Sequence, residues 1–208
     1  MDSKKGQEQE IIKKHLLKYF QSNKSAKWFY EEVVKKNNLD LFSLIDHITF
    51  RTKQVSGRFA EFSRIGYQPF GKRIESGSWW LQVYRHKDPH SGFPAIVLDQ
   101  PADGFLTHYH EGGRIIDSWV SAFGDNEIHH TAFKVVNLEC ATKQFNSRGV
   151  PINWESFAED KNTGLKQVFT IPQKKDGISH TVLELIERPL GCVDLIVGNT
   201  NILVSSTK

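Results

Sequence analysis

Two histidines occupy matching positions in a repeated segment of the sequence. His47 lies in IDHITFR (45–51), and His130 lies in IHHTAFK (128–134). Isoleucine, histidine, phenylalanine and a basic residue recur at a constant offset of 83, the separation of His47 from His130. Since histidine is the commonest metal ligand in proteins, its placement at equivalent points of two similar strands indicates a shared role.

A carboxylate, Glu184, is the third residue that could take part in such chemistry. It lies on the strand face that Val182 and Ile186 also occupy, because side chains alternate along a strand. A mid-strand carboxylate between apolar neighbours is costly unless it is paired or bound to metal. Taken singly, a strand histidine is often a hydrogen-bonded core residue, and such a glutamate often forms a salt bridge. Together, His47, His130 and Glu184 predict a site for one divalent metal.

The duplication extends beyond the two histidine strands. The same offset relates Phe62 to Phe145 and Gly66 to Gly149, and an offset of 85 then relates QVY (82–84) to QVF (167–169). A slowly growing offset is typical of two diverged copies that have acquired loop insertions. Each copy has the pattern of a strand, a helix and three further strands, and the glycine after each helix suits its C-terminal end.

These patterns predict an α+β fold of two paired βαβββ modules. Residues 1–40 are predicted to form a helical extension, with one helix over 7–22 and a second that has Ser25 as its N-cap. The predicted parts that follow are a first module (41–101), a connection (102–127) containing the helix IIDSWVSAF, and a second module with a C-terminal tail (128–208).

Strand alternation predicts which side chains face the site. His47, Thr49 and Arg51 should share one face of their strand, while Ile48 and Phe50 face the helix. The same rule directs His130 into the concave side of the sheet. Its neighbour His129 is then expected to point away, to pack or to face solvent.

Composition excludes several classes of protein. The 208 residues carry a net charge of only +3, without a basic stripe with interleaved aromatics, which argues against nucleic-acid binding. No apolar run reaches the about 20 residues that span a bilayer, and the polar N-terminus does not resemble a signal peptide. Cys140 and Cys192 suggest no disulfide framework, so a cytoplasmic location is expected. A small anionic substrate would suit the charge, and a homodimer is an open expectation.

At the ligand strands the chain resembles the vicinal-oxygen-chelate superfamily, in which two βαβββ modules surround a metal. HHTAFKV (129–135), GLKQVFTIP (164–172) and VLELIER (182–188) resemble strands of 4-hydroxyphenylpyruvate dioxygenases. SLIDHITFRT (43–52) is similar to the opening strand of the DUF1338 family, which includes 2-oxoadipate dioxygenase/decarboxylase (hydroxyglutarate synthase). The resemblance runs from about residue 41 to residue 189, and the chain is much shorter than the bacterial enzymes of that family.

The resemblance implies roles for three substrate-binding residues. In the DUF1338 family an arginine four residues after the histidine binds a carboxylate, which here is Arg51. Gln167 matches a substrate-contacting glutamine of the hydroxyphenylpyruvate enzymes, and Gln82 is its counterpart in the first copy. The simpler alternatives are a surface salt bridge for Arg51 and a cross-strand amide pair for the two glutamines. A further pair, His108 and His110, offers an alternative metal site in what reads as a solvated loop.

The number of protein ligands indicates the type of metal. A fourth ligand from the first module would fall on Ile96 or Val97, neither of which can coordinate. Two histidines and one carboxylate leave open positions, an arrangement that favours non-haem Fe(II), although Zn, Mn, Co or Ni could also bind. We therefore expect a metal-dependent oxygenase/decarboxylase that acts on a 2-oxoadipate-like acid with dioxygen. The alternatives are a non-oxidative isomerase, lyase or hydrolase on the same ligands, and a metal-free ligand-binding module.

Overall fold

The computed structural model describes residues 2–76, 78–102, 111–125 and 127–192. The helices are α1 (Asp2–Ser22), α2 (Lys24–Trp28), α3 (Leu41–Leu44), α4 (Val55–Arg64), α5 (Glu111–Phe123) and α6 (Leu138–Ser147), and a π-helical segment, Phe29–Lys35, continues α2. The strands are β1 (Ile45–Arg51), β2 (Tyr67–Ser76), β3 (Trp79–His86), β4 (Ala95–Pro101), β5 (Ile128–Lys134), β6 (Ile152–Asp160), β7 (Leu165–Thr170), β8 (Gln173–Lys175) and β9 (Ile178–Glu187).

The strands form one sheet with the order β2-β3-β4-β1-β5-β9-β7-β6, and β8 pairs with β9. Within each half, the first strand lies parallel to the last: β1 beside β4, and β5 beside β9. The two halves meet where β1 and β5 pair antiparallel. The predicted α+β fold with two βαβββ units is confirmed, and β8 is an additional short strand in the second unit.

One face of the sheet, the helix face, carries the main core. The ring of Phe50 on β1 lies 5.2 Å from His15 of α1 and 5.2 Å from Phe62 of α4. In the second half, Phe133 on β5 lies 4.5 Å from Phe29. The prediction that Phe50 faces the helix is thus confirmed, and the histidines lie on the opposite face, here called the site face.

The N-terminal extension is helical as predicted, but its second helix begins differently. Asn23, rather than Ser25, is the N-cap, and its Oδ1 accepts a hydrogen bond from Ala26 N–H at 2.9 Å. Both residue types make good caps. Asn23 is fully buried and its amide also donates to Thr181 of β9 at 3.1 Å. This contact across the fold explains why Asn23 rather than Ser25 is the N-cap, and the local sequence does not show it.

Helix α5, which contains the predicted IIDSWVSAF helix, packs onto the site face rather than the helix face. Trp119 donates its indole N–H to the His180 carbonyl at 2.6 Å. The helix fills one end of the first half with a separate apolar cluster, formed by Trp79, Leu81, Val97, Ile116, Trp119 and Val120. In the described ranges, no helix is both long enough and apolar enough to cross a bilayer.

Two adjacent leucines of α1 test whether the extension belongs to the core. Leu16 is completely buried, whereas Leu17 is 41% exposed. We expect Leu16→Ala to lower the free energy of unfolding by about 2–5 kcal/mol, because it leaves a cavity under the sheet. Leu17→Ala should cost less than about 1 kcal/mol. Equal effects in chemical denaturation would show that α1 does not pack as described.

Candidate metal centre

Three buried side chains converge on the site face where the two halves meet. Glu184 Oε2 lies 3.3 Å from His47 Nε2 and 3.3 Å from His130 Nε2. One donor atom from each residue lies within 4.8 Å of the other two, and none of the three residues is more than 4% exposed. The structure thus brings together the three residues that the sequence singles out as metal ligands.

Strand register explains the convergence. His47 on β1 lies opposite Ala132 on β5, and Ala132 lies beside Glu184 on β9. His130 sits in the adjacent row, opposite Thr49. The three candidate ligands therefore surround the small side chain of Ala132.

Each ligand histidine follows the extra residue of a β-bulge. Between Ile45 and His47, β1 advances two residues while β5 advances one, so Asp46 is the additional residue. The reverse shift on β5 makes His129 the additional residue. These two bulged residues are themselves related by the repeat offset of 83. A bulge turns a side chain away from strict alternation, and here it brings Asp46 and His129 beside their neighbouring ligands.

Both bulged residues hydrogen-bond the remaining ring nitrogen of a ligand. Asp46 Oδ1 lies 2.9 Å from His47 Nδ1, and the Arg188 guanidinium donates to both oxygens of Asp46, at 2.7 and 2.8 Å. His129 Nδ1 lies 2.9 Å from His130 Nδ1. Each contact directs a ligand's Nε2 towards Glu184, the usual role of residues behind a metal site.

The prediction that His129 points away from its neighbour is wrong. His129 is fully buried, and its ring meets that of Trp119 on α5 at 5.7 Å. Strict alternation along β5 would have placed His129 on the helix face. The bulge interrupts that alternation, so His129 lies beside His130. Asp46, Arg188 and His129 were all missed as site residues. Only the adjacency of Asp46 and His129 to the ligands, at matching repeat positions, could have signalled them.

Electrostatics distinguish the two histidines. Burial lowers the pKa of His47, but the carboxylates of Glu184 and Asp46 outweigh it and raise that pKa to about 9. Burial, together with the charges of His47 and Arg51, lowers the pKa of His130 well below its usual value. The environment therefore favours a neutral His130 and a positive charge at His47, and a cation bound at Nε2 would compete with the proton there.

The donor set fits a metal ion. In the described part of the chain, the two imidazoles at 3.3 Å are the polar groups recorded beside Glu184, and a buried carboxylate with so few partners is costly. The Thr49 hydroxyl lies 2.9 Å from His130 Nε2 and could rotate away from it. Imidazole nitrogens and carboxylate oxygens are ligands that divalent cations bind in proteins. Two imidazoles and the carboxylate of Glu184 converge here, so the group has the composition of a metal site.

The position of a fourth ligand is occupied by Val97. On β4, Val97 lies beside Thr49, just as Glu184 lies beside Ala132, so the two are equivalent in the repeat. Ile96 packs instead into the core on the helix face. Among the described residues, the group of possible ligands therefore contains three members.

Arg51 lies farther along the site face, beneath α5. It is completely buried, its Nε lies 3.7 Å from Asp99 Oδ2, and its guanidinium lies 5.7 Å from the Trp119 ring. Burial lowers the pKa of Arg51 to about 10, against the opposing effect of Asp99. The ion pair is thus internal rather than on the surface.

The two predicted glutamines lie on opposite faces of the sheet. Gln167 is on the site face, in the row next to Glu184, and is only 5% exposed. Gln82 faces the helix side, and its amide donates to the backbone carbonyls of Phe70 at 3.1 Å and Val83 at 3.0 Å. Strand register makes Leu81 the true equivalent of Gln167. His108 and His110 lie outside the described residues.

Comparison with known proteins finds related structures only. No family model and no curated protein matches the chain. A candidate hydrolase from Shewanella frigidimarina matches with a TM-score of 0.74 and 15% identity, over 91% of this chain and 98% of that one. Hydroxyglutarate synthase from Oryza sativa, in complex with 2-oxoadipate, matches with a TM-score of 0.69 and 17% identity, over 100% of this chain and 94% of that one. A candidate glyoxalase-superfamily protein from Ralstonia eutropha matches with a TM-score of 0.58 and 12% identity, over 79% of this chain and 77% of that one. The chain therefore has the glyoxalase-like, vicinal-oxygen-chelate fold.

Asp46 provides a test of the contacts behind the ligands. Asp46→Asn keeps the shape of the side chain but removes its charge from His47 and Arg188. We expect the affinity for Zn(II), measured by competition with a chelating dye, to fall about 10- to 100-fold. Asp176→Asn is the matched control, since Asp176 lies in an exposed turn with a φ of 53°, which asparagine adopts readily. Equal affinities of the two variants would contradict the assigned role.

Proposed function

We propose that this protein is a non-haem Fe(II) oxygenase that oxidatively decarboxylates a small 2-oxo acid. The observation that carries the proposal is the buried group of His47, His130 and Glu184, with Val97 where a fourth ligand would lie. Two histidines and a carboxylate on one side of an ion favour Fe(II), and three open positions suit a chelating acid plus dioxygen. The match to a hydroxyglutarate synthase that holds 2-oxoadipate supports this substrate class.

Iron bound there would supply the redox chemistry, and the protein would supply ligation, orientation and exclusion of water. His47 and His130 are fixed by Asp46 and His129, so their Nε2 atoms stay directed at one point. The site is walled by the rings of Phe169, 5.4 Å from His130, and of Trp119 behind His129. Such surroundings exclude water from a reactive centre.

Two further side chains are proposed to contact the substrate. The amide of Gln167, on the site face beside the Glu184 row, can hydrogen-bond an oxygen of a bound acid. Arg51 contributes positive charge at the α5 end of the same face. Because Arg51 is already paired with Asp99, it would bind a substrate carboxylate only by sharing or exchanging that partner.

The test is stoichiometric. Fe(II)-loaded protein given 2-oxoadipate in air should consume dioxygen and release carbon dioxide in equal amounts, with one oxygen atom entering the new carboxylate of the five-carbon product and the other forming a hydroxyl group. Neither should occur without oxygen. Glu184→Gln should lose turnover together with bound iron, because an amide is a much weaker ligand than a carboxylate. Glu159→Gln, an exposed change on β6, is the control.

The same experiment separates the oxygenase from a Lewis-acid enzyme on the same ligands. The non-oxidative alternative predicts equal turnover under strict anaerobiosis with Zn(II) in place of iron. That result would overturn the oxygenase and leave an isomerase, lyase or hydrolase in its place. If the Glu159→Gln control also lost turnover, the loss in Glu184→Gln could not be assigned to the missing metal ligand.

A further inference from the structure

A single hydrogen bond joins the candidate ligand His130 to the residue before it. Nδ1 of His129 lies 2.9 Å from Nδ1 of His130, and both rings are buried. Such a bond needs one nitrogen that carries a proton and one that offers a lone pair, and a neutral imidazole carries its proton on one nitrogen only. The ring that holds the shared proton at Nδ1 therefore has a bare Nε2, and the other ring has its proton at Nε2.

The surroundings favour the neutral form of both rings. Burial, together with the charges of Arg51, His130 and His180, lowers the pKa of His129 well below its usual value. The pKa of His130 is lowered in the same direction, again chiefly by burial. The pair therefore has two arrangements, which differ in where the protons lie and not in charge.

Without a bound metal, Glu184 favours one of the two arrangements. Its Oε2 lies 3.3 Å from His130 Nε2, and an ionised carboxylate can only accept hydrogen bonds. A proton at that nitrogen satisfies the carboxylate, whereas a lone pair there would face its negative charge. The Thr49 hydroxyl, 2.9 Å from the same nitrogen, can accept as well as donate. Nδ1 of His130 is then the acceptor, and His129 donates from its own Nδ1.

Coordination through Nε2 of His130 requires the opposite arrangement. The coordinating nitrogen must offer its lone pair to the metal, so the proton of His130 lies at Nδ1. Nδ1 of His129 then accepts, and the proton of His129 lies at Nε2. Each ring carries one proton before and after: His130 loses a proton at Nε2 and receives the shared one, while His129 gives up the shared proton and takes one at Nε2.

The far nitrogen of His129 leaves this change open. A ring behind a metal ligand is usually fixed in one tautomer by a carbonyl or carboxylate. Nε2 of His129 is buried and has no hydrogen-bond partner among the described residues, and the same holds for Nε2 of His180. Both rings lie against Trp119 of α5, at 5.7 and 5.9 Å. His129 is therefore free to hold its proton at either nitrogen.

We infer that His129 is a positioning residue whose tautomer changes with coordination at His130, with its proton at Nδ1 in the metal-free protein and at Nε2 in the metal-bound one. The inference rests on the ligands of the proposed function, whichever reaction they serve. The first half differs, because Asp46 can only accept and so keeps a proton at Nδ1 of His47.

The test locates the protons by NMR of protein labelled with nitrogen-15 at histidine. Two-bond correlations between ring nitrogens and ring hydrogens distinguish a nitrogen that carries a proton from one that does not, and His129→Gln identifies the signals of His129 by their loss. One equivalent of Zn(II) should move the proton of His129 from Nδ1 to Nε2, and that of His130 from Nε2 to Nδ1. A His129 pattern that is the same with and without Zn(II), or that shows protons on both nitrogens, would overturn the inference.

Two substitutions measure what the shared hydrogen bond contributes. His129→Gln keeps an amide that can donate or accept by turning, whereas His129→Leu can do neither. Competition with a chelating dye should show a loss of Zn(II) affinity of about 10- to 100-fold in His129→Leu and a much smaller loss in His129→Gln. His90→Leu, in an exposed loop, is the matched control. Equal affinities of the two His129 variants would contradict the role, once thermal unfolding has shown that both are folded.

The NMR outcomes separate the inference from the function it rests on. If the signals of His130 change with Zn(II) and those of His129 do not, the metal centre stands and the inference is overturned. If neither histidine responds to Zn(II), the assigned ligands are wrong and the inference is wrong with them. Both readings are independent of turnover, so the oxygenase reaction is tested separately.

Discussion

The arrangement of this protein depends on one buried carboxylate. Glu184 lies at the junction of the two halves, 3.3 Å from each of two imidazoles, and is only 1% exposed. Against the effect of burial, its charge and that of Asp46 raise the pKa of His47 to about 9, so this point in the fold favours a positive charge. Removing His47 would therefore leave Glu184 as an uncompensated buried charge. The antiparallel pairing of β1 with β5 is what brings these groups together.

The two halves are similar in geometry and different in chemistry. Each has a bulge that places the residue before the ligand histidine behind it, at 2.9 Å from Nδ1. In the first half that residue is the anionic Asp46, which Arg188 holds from β9's end. In the second half it is the neutral His129. A negative partner makes a histidine a stronger donor to metal than a neutral one, so the two imidazoles would bind an ion unequally.

Much of this could be predicted from the sequence, because repeat spacing and strand parity are local properties. The fold, and the three residues that converge as candidate ligands, could be predicted from IDHITFR, IHHTAFK and VLELI. The position of His129 did not, because a bulge changes parity without a signature in the residues. The sequence match paired Gln167 with Gln82 instead of Leu81, an error of one residue. A shift of one residue along a strand moves a side chain to the opposite face of the sheet. The packing of α5 over Arg51 and the capping of α2 by Asn23 depend on contacts between distant segments, which periodicity does not contain.

The central claim is that His47, His130 and Glu184 hold one metal ion, and metal content tests it most directly. Elemental analysis of protein purified without added metal should find about one divalent ion per wild-type chain, with iron predominant under anaerobic preparation. The Glu184→Gln variant, folded by its thermal transition, should contain little. Equal metal content in wild type and the variant, or wild type that stays metal-free even after loading with Fe(II) and Zn(II), would contradict the account.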